Sequence, residues 1–192
     1  MDLNAFYRAE FAEHEQVVKA TLAACAAPFE RLVAAAVTAV RGGGKLLFFG
    51  NGGSAGDAQH LATELTVRYV RDRDPIAAVA LTTDTSALTA IGNDLGFDQL
   101  FARQVRALGR AGDLALGIST SGKSRNVILA LEAARELGLT AAALGGRDGG
   151  QLKGLADPLL IVPSNTTARI QEMHILLGQM LCGALEQELG LV

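Results

Sequence analysis

Hydroxyl side chains are concentrated in one short segment of the chain. Ser119, Thr120, Ser121 and Ser124 lie around a single glycine, Gly122, where a ligand can approach the backbone closely. A short apolar run precedes this segment and a helical pattern follows it. Free N–H groups at the start of a helix, together with its dipole, favour an anion. The segment therefore predicts a phosphate site, because helix capping by Ser124 would explain one hydroxyl but not four.

The same segment satisfies a nucleotide-binding pattern. Residues 117–124, GISTSGKS, match the P-loop pattern G-x-x-x-x-G-K-[ST], so an ATP- or GTP-hydrolysing protein has to be considered. Two features count against it. Gly117 fits a strand better than a loop, and the later apolar run 159–162 continues into Pro163 and Ser164 rather than into a metal-binding aspartate. Both interpretations place a phosphate at the same loop.

A second loop, residues 50–55 with the sequence GNGGSA, matches the loose dinucleotide fingerprint G-x-G-x-x-[GA]. That fingerprint needs an acidic residue about 20 residues further on. The acidic residue at the end of the next strand, Asp84, lies well beyond that distance. A glycine loop whose backbone amides approach a sugar explains the pattern equally well.

Two groups of polar residues in helical patterns could do chemistry. After the glycine loop, Asp57, His60 and Glu64 have spacings that put them on one helix face. A histidine with a carboxylate suits a metal site or a general base, although a solvated surface pair is the plainer alternative. In the last helix, polar residues interrupt an apolar run and indicate either a functional or a solvated face: Gln171, Glu172, His174 and Gln179.

The elements that must position these residues alternate between strand and helix. Residues 1–41 have a helical pattern, which Pro28 divides into two predicted helices. Alternating strands and helices then predict an α/β fold with a parallel sheet and helices on both faces. Ligands bind such sheets at the carboxyl ends of the strands, here at loops 50–56, 82–85 and 119–124. The predicted strands are 45–49, 76–81, 114–118, 140–144 and 159–162, with helices at about 55–69, 124–137 and 166–189.

Composition narrows the possible functions. The 192 residues are 49% hydrophobic and 19% charged, which is typical of one globular domain. The net charge of −3 and the lack of a basic run argue against a nucleic-acid ligand. We expect no signal peptide, and no uninterrupted apolar run approaches the roughly 20 residues of a membrane span. Cys25 and Cys182 lie in apolar helical patterns and suit buried thiols in a reducing cytoplasm.

Five motifs occur in one order along the chain: GNGGSAGDAQH at 50–60 with Glu64, LTTDTS at 81–86, IGND at 91–94, ISTSGKS at 118–124 and RIQEMH at 169–174. Together they resemble the phosphoheptose isomerase family of SIS (sugar isomerase) domains, and the resemblance extends from about residue 3 to residue 190. It implies a three-layer α/β sandwich in a single SIS domain, 1–192, with a helical oligomerisation segment, 1–41, and a sugar-phosphate-binding core, 42–192.

The resemblance implies a cytoplasmic, zinc-dependent homotetramer that converts sedoheptulose 7-phosphate to D-glycero-D-manno-heptose 7-phosphate for lipopolysaccharide precursors. The catalytic positions would be Glu64, as the base, and Gln179. By motif, the zinc ligands would be His60, Glu64, Gln171 and, at the fourth position, Gln179. The residues implied to bind substrate are Asn51, Gly52, Gly53, Ser54, Glu64, Asn93, Asp94 and Gln171, with Ser119, Thr120, Ser121 and Ser124 on the phosphate.

One position departs from this pattern. The family usually has a histidine two turns after Gln171, as a zinc ligand and second acid/base, and this chain has Gln179 there. An amide does not titrate and is a poor zinc ligand. The sequence also resembles the DnaA initiator-associating proteins, SIS tetramers that regulate replication without known isomerase chemistry. Those proteins lack a carboxylate corresponding to Glu64, which favours the isomerase here.

Overall fold

A computed structural model describes residues 1–192. The structure has five strands, β1 Leu46–Gly50, β2 Ala78–Ala80, β3 Leu114–Ser119, β4 Thr140–Gly146 and β5 Leu159–Val162. They form one parallel sheet in the order β2-β1-β3-β4-β5. The chain moves from β1 outward to β2, and then returns to place β3 on the other side of β1. The predicted parallel sheet is therefore confirmed.

Six helices cover the two faces of the sheet, as a doubly covered parallel sheet requires. On one face, α1, α2 and α6 pack on alternate strand residues that include Leu46 and Phe48. On the other face, α3, α4 and α5 pack on Leu47 and Phe49. The helices are α1 Leu3–Arg41, α2 Gly53–Thr66, α3 Thr85–Asp94, α4 Leu100–Leu108, α5 Arg125–Glu136 and α6 Thr167–Glu188, with short 3₁₀ turns at Phe97–Gln99 and Gly150–Leu152.

The leading segment is one helix of 39 residues, not the two helices predicted from Pro28. Proline removes one backbone hydrogen bond and usually bends or ends a helix. Here Val17, Cys25 and Leu32, on both sides of Pro28, are buried in the same hydrophobic core. Tertiary packing thus holds both halves of α1 in one helix.

Helix α1 is more apolar than the sequence suggested, since no apolar run in the sequence approaches the length of a membrane span. Over an 18-residue window its mean hydropathy reaches 1.4, and by length and composition alone this helix could cross a membrane. Helices from the cores of globular proteins pass the same test, so it is weak evidence of a span. Cys25 of α1 and Cys182 of α6 are both buried and unpaired, as predicted.

The elements around the glycine loop differ slightly from the predicted ones. Helix α2 begins at Gly53 rather than Ala55 and ends at Thr66 rather than Tyr69. Strand β2 is shorter than the predicted 76–81. One reason is that the Ile76 amide donates to the Leu65 carbonyl at the end of α2, 2.9 Å away, and so does not join the sheet.

Helices α2 and α6 lie in close contact because glycine occurs at their contact points. A Cβ atom at Gly178 of α6 would lie 2.6 Å from both methyl carbons of Leu61 in α2. At the start of α2, a side chain at Gly53 would collide with the amide group of Gln171. The contact at Gly53 precedes the contact at Leu61 along α2, as Gln171 precedes Gly178 along α6. The two helices therefore run in the same direction.

We predict that Gly178→Ala destabilises the protein, although alanine favours a helix more than glycine does. Leu61 is fully buried and cannot move aside, so the added methyl group should lower the free energy of unfolding by roughly 1–3 kcal/mol. The matched control is Gly56→Ala in α2, where a new Cβ meets nothing within 4 Å. This change should instead stabilise by up to about 1 kcal/mol. Urea unfolding of both variants measures the difference, and equal effects would contradict the close contact.

Candidate active site at the carboxyl ends of the strands

The carboxyl ends of β1 and β3 form the point at which the chain reverses its direction across the sheet. Ligands of open parallel sheets bind in the crevice at such a point. The glycine loop follows β1 and the hydroxyl-rich loop follows β3, so both lie at this crevice. Their predicted positions at the carboxyl ends of the strands are confirmed.

Two asparagines connect these loops. The side-chain amides of Asn51 and Asn126 exchange two hydrogen bonds, each 2.9 Å long. Asn126 is the second residue of α5 and is only 2% exposed. No motif in the sequence singles out Asn126, because it lies within an ordinary helical pattern. The doubled amide contact fixes the glycine loop relative to the start of α5.

The hydroxyl-rich loop brings side-chain hydroxyls to the start of α5. Ser124 occupies the N-cap position but makes no side-chain capping bond. Its hydroxyl instead lies 3.1 Å from that of Ser119, and the Lys123 amide donates to the Ser121 hydroxyl. Helix capping therefore does not explain Ser124. Hydroxyls and uncapped helix-start amides converge here, which is the chemistry that binds a phosphate group.

The structure does not form the loop of a nucleotide hydrolase. Gly117 lies inside β3 rather than in a loop. A Cβ atom there would be 2.9 Å from Val127 and 3.1 Å from Phe49, so this glycine serves core packing. Asp84, the acidic residue that dinucleotide binding would need, has a structural role instead. Its carboxylate caps α3 by accepting a hydrogen bond from the Ala87 amide.

Three of the predicted metal and catalytic residues meet where α2 and α6 touch. The Nε2 atom of His60 lies 3.0 Å from Oε1 of Glu64 and 3.0 Å from the side-chain nitrogen of Gln179. The side chain of His60 is 51% exposed and that of Glu64 19% exposed. The predicted i, i+4 pairing of His60 and Glu64 is therefore present and open to a ligand.

Gln171 also lies on the contact surface between α2 and α6, here called the α2–α6 seam, two helical turns before Gln179. Its amide packs so closely against Gly53 that it leaves no room for a side chain there. Ser54, the next residue, is only 3% exposed, and Gly52 has a positive φ of 56°. Gln171 thus lies beside the glycine loop, while the other three zinc-ligand candidates meet around His60.

The arrangement around His60 fits a cation. One ring nitrogen faces a carboxylate oxygen and an amide group, and it cannot both donate to the first and accept from the second. An amide rotated to present its oxygen would give one nitrogen and two oxygen donors. Two donors bound to one tetrahedral zinc lie about 3.3 Å apart, close to the 3.0 Å observed here. No cluster of three or more His, Cys, Asp or Glu side chains has a metal-binding arrangement, so any metal here needs amide ligands.

Asp57 lies one helical turn before His60 on α2. Its Oδ2 atom is buried without a hydrogen-bond partner. Burial raises the pKa of this carboxyl above its usual range, and the charge of nearby His60 opposes the rise. A half-buried carboxyl with a raised pKa beside a histidine is typical of a group that takes part in proton transfer.

Asn93 and Asp94 lie apart from this seam at the end of α3. The Asn93 amide donates to the Asp94 carboxylate over 2.7 Å, and both side chains are exposed. No hydrogen bond connects either residue to the α2–α6 seam. Their implied contact with a sugar stays a prediction.

The other two polar residues predicted on α6 differ in their exposure. His174 is fully buried and its Nε2 group donates to the Gly145 carbonyl of β4 over 2.9 Å. Burial lowers the pKa of His174 to about 4, so the ring is neutral at physiological pH and the predicted alternative of a solvated residue is wrong for it. Glu172 contacts His14 of α1, and its side chain is 37% exposed.

Comparisons with known proteins agree with this geometry. The sequence profile of the SIS domain matches residues 10–146. A phosphoheptose isomerase of Paramagnetospirillum magneticum is 59% identical over 186 residues, which cover 97% of each chain. The solved phosphoheptose isomerase of Neisseria gonorrhoeae superposes with a TM-score of 0.91 at 48% identity, over 96% of this chain and 99% of that one. That of Francisella tularensis gives 0.94 at 38% identity, over 97% and 100%.

Because the pKa of Asp57 is raised in the folded protein, the folded state binds the proton more tightly than the unfolded state does. The stability that the protonated form provides is complete below the unfolded pKa of about 3.9 and is lost as pH rises through the folded pKa. Asp57→Asn should therefore raise the free energy of unfolding at pH 7, and the gain should shrink in acid.

Urea unfolding at several pH values measures this effect. Asp72→Asn is the matched control, because that carboxylate is exposed and the substitution should change little at any pH. A gain at Asp57 that does not depend on pH would contradict the role of the buried charge.

Proposed function

The chain belongs to the phosphoheptose isomerase family of SIS-domain proteins, and from this premise we propose that it interconverts sedoheptulose 7-phosphate and D-glycero-D-manno-heptose 7-phosphate. The observation that carries the proposal is the Glu64 carboxylate. It lies 3.0 Å from His60, near the end of the helix that begins at the glycine loop. A base on this helix and an anion site at the start of α5 are the two groups that a phosphorylated sugar requires.

The chemistry requires one proton to move between two neighbouring carbons. The base removes a proton from C1 of the ketose, which leaves an enediolate, and a proton is then delivered to C2 to give the aldose. Glu64 is the base that takes the proton and returns it. The hydroxyl and carbonyl oxygens also exchange a proton, and Gln179 cannot carry it because an amide does not titrate. The titratable candidates for that task on the same helix are His60, which lies 3.0 Å from Glu64, and Asp57, one helical turn before His60.

The phosphate would bind at the loop from Ser119 to Ser124. Its hydroxyls and the free amides at the start of α5 supply hydrogen bonds and a favourable dipole without a buried charge. The doubled contact between Asn51 and Asn126 then fixes the distance between this anchor and the glycine loop. A substrate held by its phosphate thereby presents its reactive end toward the α2–α6 seam.

Zinc, where bound, would be held by His60, Glu64 and Gln179, with Gln171 on the same seam, and would stabilise negative charge on the substrate oxygens. The support is the convergence of donor atoms on the ring nitrogen of His60. Two carboxamides in the set predict weaker binding than a set with a second histidine would give.

The assembly and location also belong to the proposal. Apolar side chains on the first half of α1 are exposed, including Phe6, Phe11 and Leu22, and surfaces of this kind need a partner. We infer a homotetramer in the cytoplasm that supplies heptose for lipopolysaccharide precursors. A monomeric mass by light scattering at micromolar concentration would contradict the oligomer. No observation on this chain favours the alternative of a DnaA-binding regulator.

Glu64→Gln should abolish most activity, because the variant keeps the shape of the side chain and loses its basicity. The expected loss in kcat is about 10²- to 10⁴-fold, measured by NMR with sedoheptulose 7-phosphate. Glu188→Gln, an exposed carboxylate at the end of α6, is the control and should leave kcat unchanged. Near-normal turnover by a folded Glu64→Gln protein would show that Glu64 is not the base.

Ser124→Ala should weaken phosphate binding, since it removes one hydroxyl of the anion site while the helix stays uncapped either way. We expect KM for the sugar phosphate to rise by about 10-fold, the loss typical of one hydrogen bond to a charged group, with a smaller change in kcat. ATP should be neither bound nor hydrolysed. ATPase activity that Lys123→Ala abolishes would instead support a nucleotide-binding loop.

Gln179→His should strengthen zinc binding, because imidazole is a better zinc ligand than a carboxamide. Zinc retained after dialysis measures this directly, and turnover should rise with it. Gln187→His, on an exposed position two turns later, is the matched control. If Gln179→His holds no more zinc than the control, and zinc never supports isomerisation, then the metal site is wrong.

A further inference from the structure

The last turn of α2, which carries Glu64, is held by a buried arginine. The final carbonyls of a helix lack partners within the helix, so this turn would ordinarily be loose. The guanidinium of Arg73 donates to the Glu64 carbonyl over 2.8 Å and to the Leu65 carbonyl over 2.7 Å. The chain turns back after Thr66, and Arg73 therefore closes the end of the helix from which it has just emerged.

The same guanidinium connects this turn to α6. Its Nε group donates to Oε1 of Glu186 over 2.8 Å, and both side chains are only 2% exposed. Glu186 also accepts a hydrogen bond from the Tyr69 amide, 3.1 Å away. Glu186 lies two turns after Gln179, and Gln179 contacts His60. Arg73 thus fixes the end of α2 against the helix that supplies the other side of the site.

Stability alone does not account for this arrangement. A buried ion pair is often no more stabilising than apolar side chains of similar size, whereas Arg73 bonds three backbone carbonyls in addition to Glu186. The Glu64 side chain itself has a single hydrogen bond, to His60. The position of its carboxylate therefore depends on where its backbone is held.

We propose that Arg73, together with Glu186, is a positioning residue for Glu64. It holds the last turn of α2 so that the carboxylate stays at the reacting carbon. Since Glu64 is the base only in the proposed function, the positioning role rests on that proposal. Displacement of a catalytic group by about 1 Å can cost about 100-fold in rate, so this contact should act on kcat more than on KM.

Arg73→Lys tests the role because it keeps the buried positive charge and loses the planar fork. We expect kcat per folded molecule to fall about 10- to 100-fold with KM little changed. With substrate deuterated at C1, the isotope effect on kcat should be at least as large as in the wild type, because proton transfer has become slower. A mere loss of folded protein would not produce this pattern. Wild-type kcat, or an isotope effect that falls toward one, would overturn the role.

A second variant, Arg73→Met with Glu186→Met, removes both charges and fills the space with apolar groups. It should show the same fall in kcat even if its melting temperature matches that of the wild type. Wild-type kcat in this variant would also overturn the role.

Hydrogen exchange on the wild-type protein tests the contact without any variant. The Tyr69 amide should be protected through Glu186, and rapid exchange there would contradict the contact.

Glu64→Gln separates this role from the proposed function. If Glu64→Gln keeps wild-type turnover, the assignment of the base fails and Arg73 has nothing to position. If Glu64→Gln is inactive while Arg73→Lys keeps wild-type kcat and isotope effect, the base stands and only the positioning role fails.

Discussion

The close contact between α2 and α6 is the constraint on which the candidate site depends. Gly178 has no side chain, so Leu61 of α2 can lie directly against the α6 backbone. At that separation Gln179 reaches His60, and Gln171 reaches the glycine loop at Gly53. If the two helices lay further apart, Gln179 would not reach His60 and Gln171 would not reach Gly53. Packing of an ordinary hydrophobic core thus determines which polar atoms meet.

The two regions of the candidate site differ in the groups that they present to a ligand. At the start of α5, amides and hydroxyls offer hydrogen bonds to an anion without a buried cation, which avoids the desolvation cost of an unpaired charge. On the α2–α6 seam, by contrast, titratable side chains are required because a proton has to move. The amide pair of Asn51 and Asn126 joins the two regions. One region can therefore anchor a substrate while the other reacts with it.

Burial assigns different roles to the polar residues of the two helices. His174 is fully buried and donates to β4, and its lowered pKa keeps it neutral, so it is a structural group. His60 is half-exposed where α2 meets α6 and is available to a ligand. Asp57 is partly buried, and one of its carboxylate oxygens is buried without a hydrogen-bond partner. Residue type alone does not distinguish the two histidines, because the difference lies in what surrounds each ring.

The sequence by itself determined the local features, because they depend on neighbours within one turn or loop. The hydroxyl-rich loop, the spacing of His60 and Glu64 and the alternation of strands and helices could all be predicted. Only the tertiary structure decided which distant segments meet. It kept α1 continuous through Pro28, brought Asn126 to Asn51, and buried His174. These outcomes depend on long-range packing around the sheet, whose strand order places β1 beside β3. The hydrophobic periodicity within a single segment does not contain that information.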